Sequence, residues 1–285
     1  MRRRIAVMSV GLVLGAIATA RAEDDLSALS DEFADAKSLG QWQHVDRVEK
    51  SGADQLKVLK VEGGRLVMEP FASVWYRDYR GVLLFKPVEG DFVVTTSLAV
   101  SGRGHEGAPR SSFSLAGIMV RVPRDVTPKT WKPGGENYVF LSLGSADRPG
   151  QYQLEVKTTV NSDSKLQITD GAPSGELRCA RVGNALILLR RLGDGPWQVH
   201  RRYHRPDFPK ALQVGLTCYT DWPTCEKMAP LAHNTTVIQG GRPDLVASVD
   251  YVHYARPAVP AALAGKNLAD AGAVSDAELL AFLGQ

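Results

Sequence analysis

The chain has 285 residues, 44% of them hydrophobic and 23% charged, an ordinary globular balance that allows one large β domain or two small ones. Its formal charge of +3 misleads: four arginines lie in residues 1–22, which carry no acid, and removing them from 34 basic residues leaves 30 against 31 acidic ones, a formal charge of −1. Nucleic acid therefore has no compositional support as a partner.

Arg2, Arg3 and Arg4 form a basic n-region, Ile5–Thr19 an apolar h-region, and Ala20-Arg21-Ala22 a small-x-small cleavage site. Residues 1–22 read as a signal peptide, with an exported product in the periplasm or outside the cell. The apolar run is shorter than the roughly 20 residues a spanning helix needs, and no later stretch is long and apolar enough.

From Asp24 to Leu39 the chain is acidic and polar, with pieces fit for a helical turn; Gln41-Trp42-Gln43 begins the extended structure. Leu56–Val61 and Arg65–Met68 flank Glu62-Gly63-Gly64, a hairpin turn supplying positive φ. Val74–Val100 then reads as an aromatic and basic strand, a Gly turn, an apolar strand, a Gly-Asp turn and a long alternating strand.

Gly102–Ser112 is a polar loop, Phe113–Val122 a central strand, and Pro123–Asn137 a long loop carrying three prolines and Trp131. Tyr138–Leu143 and Gln151–Val160 follow as strands, then a meander of Leu177–Val182, Ala185–Leu192 and Trp197–Tyr203, and finally Ala211–Thr220 and Leu245–His253. About a dozen strands with little helical periodicity predict an all-β, two-sheet antiparallel jelly-roll sandwich over residues 23–256. Residues 257–285 form a Pro/Ala linker and a short helix with a capping box, Ser275 and Glu278. That helix docks on its own sandwich or serves as a handle for a protein partner.

Cys179, Cys218 and Cys225 all fall in the second half. An oxidising destination permits one disulfide. Cys218–Cys225, bracketing a short loop, is the first expectation and Cys179–Cys218 its rival.

Trp75 with Arg80-Gly81, Leu84-Phe85-Lys86, Gly90-Asp91-Phe92 and Ala116–Arg121 together resemble the central part of the concanavalin A-like lectin/glucanase superfamily. Gly63–Leu66 and Ser248–Val252 add to the likeness, which spans roughly residues 30–256. Within the superfamily the chain is most similar to exported bacterial sandwich domains of unknown function and, distantly, to laminarinase-type glycoside hydrolases. The resemblance implies a structural calcium held by Asp250, by the Gly64 turn and by the neighbourhood of Asp31 or Glu32, hard oxygen ligands that would staple the chain ends together.

A retaining glycoside hydrolase needs two carboxyl groups about 5–5.5 Å apart. In the laminarinase-type relatives these share one strand face; here the matching strand offers Gln153, Glu155 and Lys157, a single carboxylate beside a lysine. Hydrolysis or lyase chemistry would need an atypical site. A binding role needs aromatic platforms and a few polar groups on a sheet face. The candidates are Trp75, Arg77 and Tyr79 alternating on one strand, Arg121, Tyr138, Glu155 and Lys157 on its neighbours, and Trp131, Tyr219 and Trp222 on loops. Arg121 pairs with Glu155 in the plainest reading. His200, Arg202 and His204 share one strand face, either a solvated face or a basic stripe for acidic glycans. The expected function is non-catalytic binding of a glycan or polysaccharide.

Overall fold

Alternation of period two makes a strand a two-faced ribbon, and a computed structural model, which describes residues 25–285, stacks these ribbons in two antiparallel sheets. The expected signal peptide lies outside the described residues. In chain order the elements are β1 (Gln43–His44), α1 (Val45–Val48), β2 (Leu56–Glu62), β3 (Arg65–Pro70), β4 (Val82–Glu89) and β5 (Phe92–Ser101). Next come β6 (Ser114–Arg121), β7 (Tyr138–Ser145), β8 (Gln153–Val160), β9 (Asp163–Asp170), β10 (Ser174–Val182), β11 (Ala185–Leu192), β12 (Gln198–His204) and β13 (Ala211–Tyr219). The short helices α2 (Trp222–Cys225) and α3 (Pro230–Asn234), strand β14 (Val246–Ala255) and helix α4 (Asp276–Leu283) complete the chain.

One sheet runs β1-β4-β13-β6-β7-β8-β9 and the other β12-β11-β10-β5-β14-β3-β2. The main core lies between them, where Leu84, Ile118, Leu141, Val156 and Leu216 of the first sheet meet Leu66, Phe92, Leu98, Leu177 and Val252 of the second. The jelly-roll sandwich expected from the alternation is therefore the observed fold. Among the described residues no helix is long and apolar enough to cross a membrane.

Two local expectations fail. Residues 74–80 are not a strand: Tyr76 to Tyr79 form a tight turn closed by the Tyr79 N–H to the Tyr76 carbonyl at 2.8 Å, with Arg77 in the left-handed region at φ 51°. Conversely, Asp163–Asp170 is a strand whose apolar alternation is confined to Leu166 and Ile168. Its pairing with β8 is set by the turn at Asn161 and Ser162, both left-handed at φ 47° and 65°, which leaves β9 as an exposed sheet edge.

The C-terminal segment packs on the outer face of the second sheet. Leu263, Leu268, Val274, Leu279 and Leu283 bury against Ala180, Ala185, Ile187 and Leu189 of β10 and β11. Ser275 caps α4 as the sequence indicates, its hydroxyl accepting from the Glu278 N–H while the Glu278 carboxylate accepts from the Ser275 N–H at 2.8 Å. Arg202, read from sequence as part of a solvated face or a basic stripe, instead donates to the Val274 carbonyl and pairs with Asp276, tying the tail down. His200 is partly buried and its pKa is pushed down to about 4, chiefly by burial.

The cysteine expectation also fails: all three are free and buried. Cys218 points between the sheets with Cys179 in the main core, whereas Cys225, on α2, packs with Ala72 and Val74 outside the first sheet. Closeness in sequence cannot bridge side chains that face different layers. Burial pushes all three thiols above their ordinary pKa.

Candidate functional site

Register places the outward side chains of the first sheet in rows. Lys157, Phe140, Met119 and Gly215 stand opposite one another across β8, β7, β6 and β13; Glu155, Ser142, Gly117 and Thr217 form the next row. Tyr138, Arg121 and Gln213 lie in a third. At Gly117 and Gly215 a Cβ would come within 2.0 Å of a neighbouring carbonyl oxygen, so only glycine is admitted there.

This face is covered by the strap at residues 72–81, held at one end by Ser73 exchanging backbone hydrogen bonds with Thr220 at 3.0 and 2.8 Å. Trp75 is fully buried beneath it; its indole Nε1 donates to the Val82 carbonyl at 3.0 Å and its ring meets Tyr138 edge-on, centroids 5.4 Å apart. Gly81 permits this, since a Cβ there would meet the indole at 2.9 Å. Trp75 is thus a core residue of the strap and not a sugar platform.

Two buried polar clusters lie under the cover. In the first, Arg121 donates from Nε and Nη2 to Glu136 at 2.8 and 3.0 Å, from Nη2 to Glu49 at 2.6 Å and from Nη1 to Gln213 at 2.8 Å. Arg80 pairs with the other Glu49 oxygen, and Arg124 reaches Glu136 at 2.6 Å. Burial alone would lower the Arg121 pKa, but Glu136 and Glu49 outweigh it and hold the guanidinium charged; burial would raise Glu136, yet Arg121 and Arg124 keep its carboxyl below the usual range. The expected Arg121–Glu155 pair is not formed, because in the antiparallel register the two residues belong to different rows.

Glu155 instead pairs with Lys157 at 2.9 Å and accepts from the Tyr219 hydroxyl at 3.0 Å, while that hydroxyl is also 2.7 Å from Ser142. Lys157 Nζ donates to the Trp75 carbonyl at 2.7 Å and lies within 6.0 Å of the ring centroids of Phe140, Tyr76, Phe113 and Tyr219. The single carboxylate on this strand face is thus neutralised and enclosed.

Above Lys157 opens a pocket of about 220 Å³ walled by Trp75, Tyr76, Phe113, Tyr219 and Trp222. Trp222 stands edge-on to Tyr76 and Tyr79, centroids 5.4 and 5.7 Å away, and the Tyr79 hydroxyl donates to the Met228 carbonyl at 2.7 Å. Across the Ser112–Phe113 and Asp221–Trp222 backbone lies a broader cleft of about 840 Å³, bordered by Arg110, Lys227, Arg242 and His105. Asp221, left-handed at φ 66°, turns β13 into α2, and its carboxylate accepts from the Arg242 N–H at 2.5 Å. His105 Nε2 is 2.9 Å from Asp244, whose carboxylate also accepts the N–H of Arg110 at 2.6 Å. The Glu106 carbonyl and then Asp244 raise the His105 pKa above its ordinary value.

Of the residues singled out from sequence, Trp75, Lys157, Tyr219 and Trp222 meet at the aromatic pocket. Arg77 is exposed at the tip of the strap turn, Tyr79 supports Trp222, and Tyr138 and Arg121 are buried supports. Trp131 lies apart, beside a small hollow next to Glu49 and Arg80. Sequence reasoning missed Tyr76, assigned by alternation to the face opposite Trp75 and Arg77, and Phe113, taken for the start of a strand. Both errors come from treating turn residues as strand residues.

The implied calcium ligands do not present free oxygens. Asp250 is held by Arg65 at 2.7 Å and accepts from the Ser97 hydroxyl at 2.7 Å. Asp31 accepts from the Phe33 N–H and from the Trp42 indole, both at 2.8 Å, while Gly64 serves the β2–β3 turn at φ 72°. A guanidinium on one carboxylate and two N–H donors on the other suit a protein-to-protein staple and not a cation.

No family model matches this chain, and no curated protein matches it in sequence. Solved structures do match. A functionally unknown protein from Saccharomyces cerevisiae is 17% identical with a TM-score of 0.52, the match covering 77% of this chain and 98% of that one. The GH43 protein BlXynB from Bacillus licheniformis is 13% identical with a TM-score of 0.52; 80% of this chain is covered but only 39% of that protein. A Bacillus licheniformis β-glucanase is 11% identical with a TM-score of 0.46, over 80% of this chain and 97% of that one. At these identities the likeness concerns the fold, a two-sheet antiparallel β-sandwich, and leaves the chemistry to the site.

Proposed function

We propose that the protein is an exported, non-catalytic glycan-binding sandwich whose ligand seats a sugar ring in the aromatic pocket and extends into the neighbouring cleft. The observation that carries this reading is the pocket walled by Tyr76, Phe113, Tyr219 and Trp222 over Lys157. Aromatic walls suit the apolar face of a sugar, and a few placed polar groups fix its orientation. At about 220 Å³ the pocket has room for one ring. The cleft beside it takes the rest of a chain, and its border of Arg110, Lys227 and Arg242, with Asp221 and Asp244 already held by backbone N–H groups and His105, favours glycans bearing carboxylate or sulphate groups.

Binding is favoured over hydrolysis because Glu155 is bound to Lys157 and Tyr219 with no second carboxylate on its strand face. A retaining hydrolase needs two carboxyl groups about 5–5.5 Å apart, and this strand face supplies one. The match in fold to the GH43 protein agrees with this reading.

A glycan array and a polysaccharide gel-shift with purified protein, repeated for Trp222→Ala and Tyr76→Ala, test it. The expected result is retention by at least one glycan, weakened about tenfold or more in either variant while the fold persists. No retention on any glycan overturns the proposal, as does release of reducing sugar from a bound polysaccharide.

A further inference from the structure

At the first edge strand, well away from the aromatic pocket in the chain, three ligand-type side chains converge. His44 ends β1, Asp46 lies two residues on in the first turn of α1, and Asp54 returns from the loop before β2. His44 Nδ1 is 4.0 Å from Asp46 Oδ1 and 4.0 Å from Asp54 Oδ2, and all three ligand atoms lie within 4.8 Å of one another. A pair of carboxylates is common on protein surfaces and by itself says nothing. What distinguishes this pair is the imidazole aimed at it: His44 is 4% exposed, and its Nδ1 is buried without a hydrogen-bond partner. A buried ring nitrogen left unpaired is a cost that native structures rarely carry without a ligand to meet it.

We propose that His44, Asp46 and Asp54 form a binding site for one divalent transition-metal ion of borderline softness, of the zinc or cobalt kind. One imidazole and two carboxylates are the donor set such ions take, with water completing the shell. Metal–ligand bonds of about 2.0–2.2 Å bring ligand atoms to roughly 3–3.5 Å from one another, so the trio must close by about 1 Å. Asp54 can supply that movement: its side chain is 44% exposed, its Oδ1 accepts from the Leu56 N–H at 3.1 Å, and its Oδ2 meets only the exposed Arg47 at 3.8 Å besides His44. A hollow of about 10 Å³ bordered by the three residues has room for one small ion or water. Arg47, 3.8 Å from Asp54 and largely exposed, is the counter-ion that the metal would displace into solvent.

The consequence reaches the covered face. Glu49, which holds Arg80 and Arg121, follows Asp46 by three residues at the end of α1, so an ion here would pin the turn that carries it.

The test is calorimetric titration of untagged, EDTA-treated and dialysed protein with Zn²⁺, alongside the visible spectrum of the Co²⁺ form and thermal unfolding with and without metal. One saturable equivalent, d–d bands in the Co²⁺ form and an upward shift in Tm are expected. Asp54→Asn, at a half-exposed position where the metal-free fold is not at risk, and His44→Asn should each weaken binding at least tenfold and abolish the shift. Absence of saturable binding overturns the proposal, and so does Zn²⁺ binding left unchanged in Asp54→Asn, which would place the ion elsewhere.

Discussion

Arg121 and Glu136 meet side-on beneath the strap, two parallel hydrogen bonds joining a guanidinium that is 0% exposed to a carboxylate that is 1% exposed. Fifteen residues of chain separate them, most of it the long proline-bearing loop, and the pair anchors the far end of that loop under the covered sheet face. Around it the charges alternate: Arg80, Glu49, Arg121, Glu136, Arg124.

Removing Glu136 leaves the guanidinium groups of Arg80, Arg121 and Arg124 with Glu49 as the one carboxylate of the cluster, a buried excess of charge that costs more than the intact pair contributes. Glu136→Gln is therefore expected to destabilise the protein by about 3–5 kcal/mol, read as a lower urea midpoint with an unchanged slope. A change below about 0.5 kcal/mol would mean that the cluster is solvated and the cover opens freely.

The His105–Asp244 contact makes stability depend on pH in a window with a definite sign. The folded His105 pKa lies above the ordinary 6.5, so its contribution is fully present below pH 6.5 and is lost as pH rises through the folded value. Burial would raise Asp244, but the Arg110 N–H, His105 and the Arg103 N–H outweigh it, so its contribution is present above 3.8 and lost as pH falls through the lowered value. Thermal unfolding of wild type and His105→Gln should differ most between about pH 4 and 6.5 and converge at higher pH. A Tm difference that is flat from pH 5 to 9 would contradict the linkage.

Three buried thiols with raised pKa values are poor nucleophiles. Native protein should react negligibly with a thiol reagent such as DTNB, and unfolded protein should release three equivalents with or without prior reduction. One equivalent from unreduced, unfolded protein would restore the disulfide expectation.

Leu279, fully buried, fastens α4 to the outer face of the second sheet. Leu279→Ala should cost about 2–5 kcal/mol, visible in chemical denaturation. Removing residues 257–285 would expose Ile187 and Leu189, so increased binding of an apolar dye is expected; unchanged dye binding and stability would show that the tail is dispensable to the fold.

What the sequence by itself determined is whatever depends on neighbours a few residues apart. Alternation in Phe92–Ser101 and Gln153–Val160 announces two-faced strands, Gly63-Gly64 announces a hairpin, and Ser275 with Glu278 announces the start of α4, because pleat, turn and cap are local geometry. The same locality misled where sequence pattern and backbone diverge: Trp75, Arg77 and Tyr79 alternate like a strand, yet a left-handed Arg77 folds them into a turn, and β9 pairs with only Leu166 and Ile168 alternating because β8 lies beside it. Only the tertiary structure decided which residues form the site. Register sets Glu155 beside Lys157 and away from Arg121, and the strap brings Tyr76 over Lys157, 81 positions later in the chain. Chain closure likewise brings Asp54 back to His44. Contacts of this kind depend on how distant strands are aligned; a shift of one residue would send every one of these side chains to the opposite face.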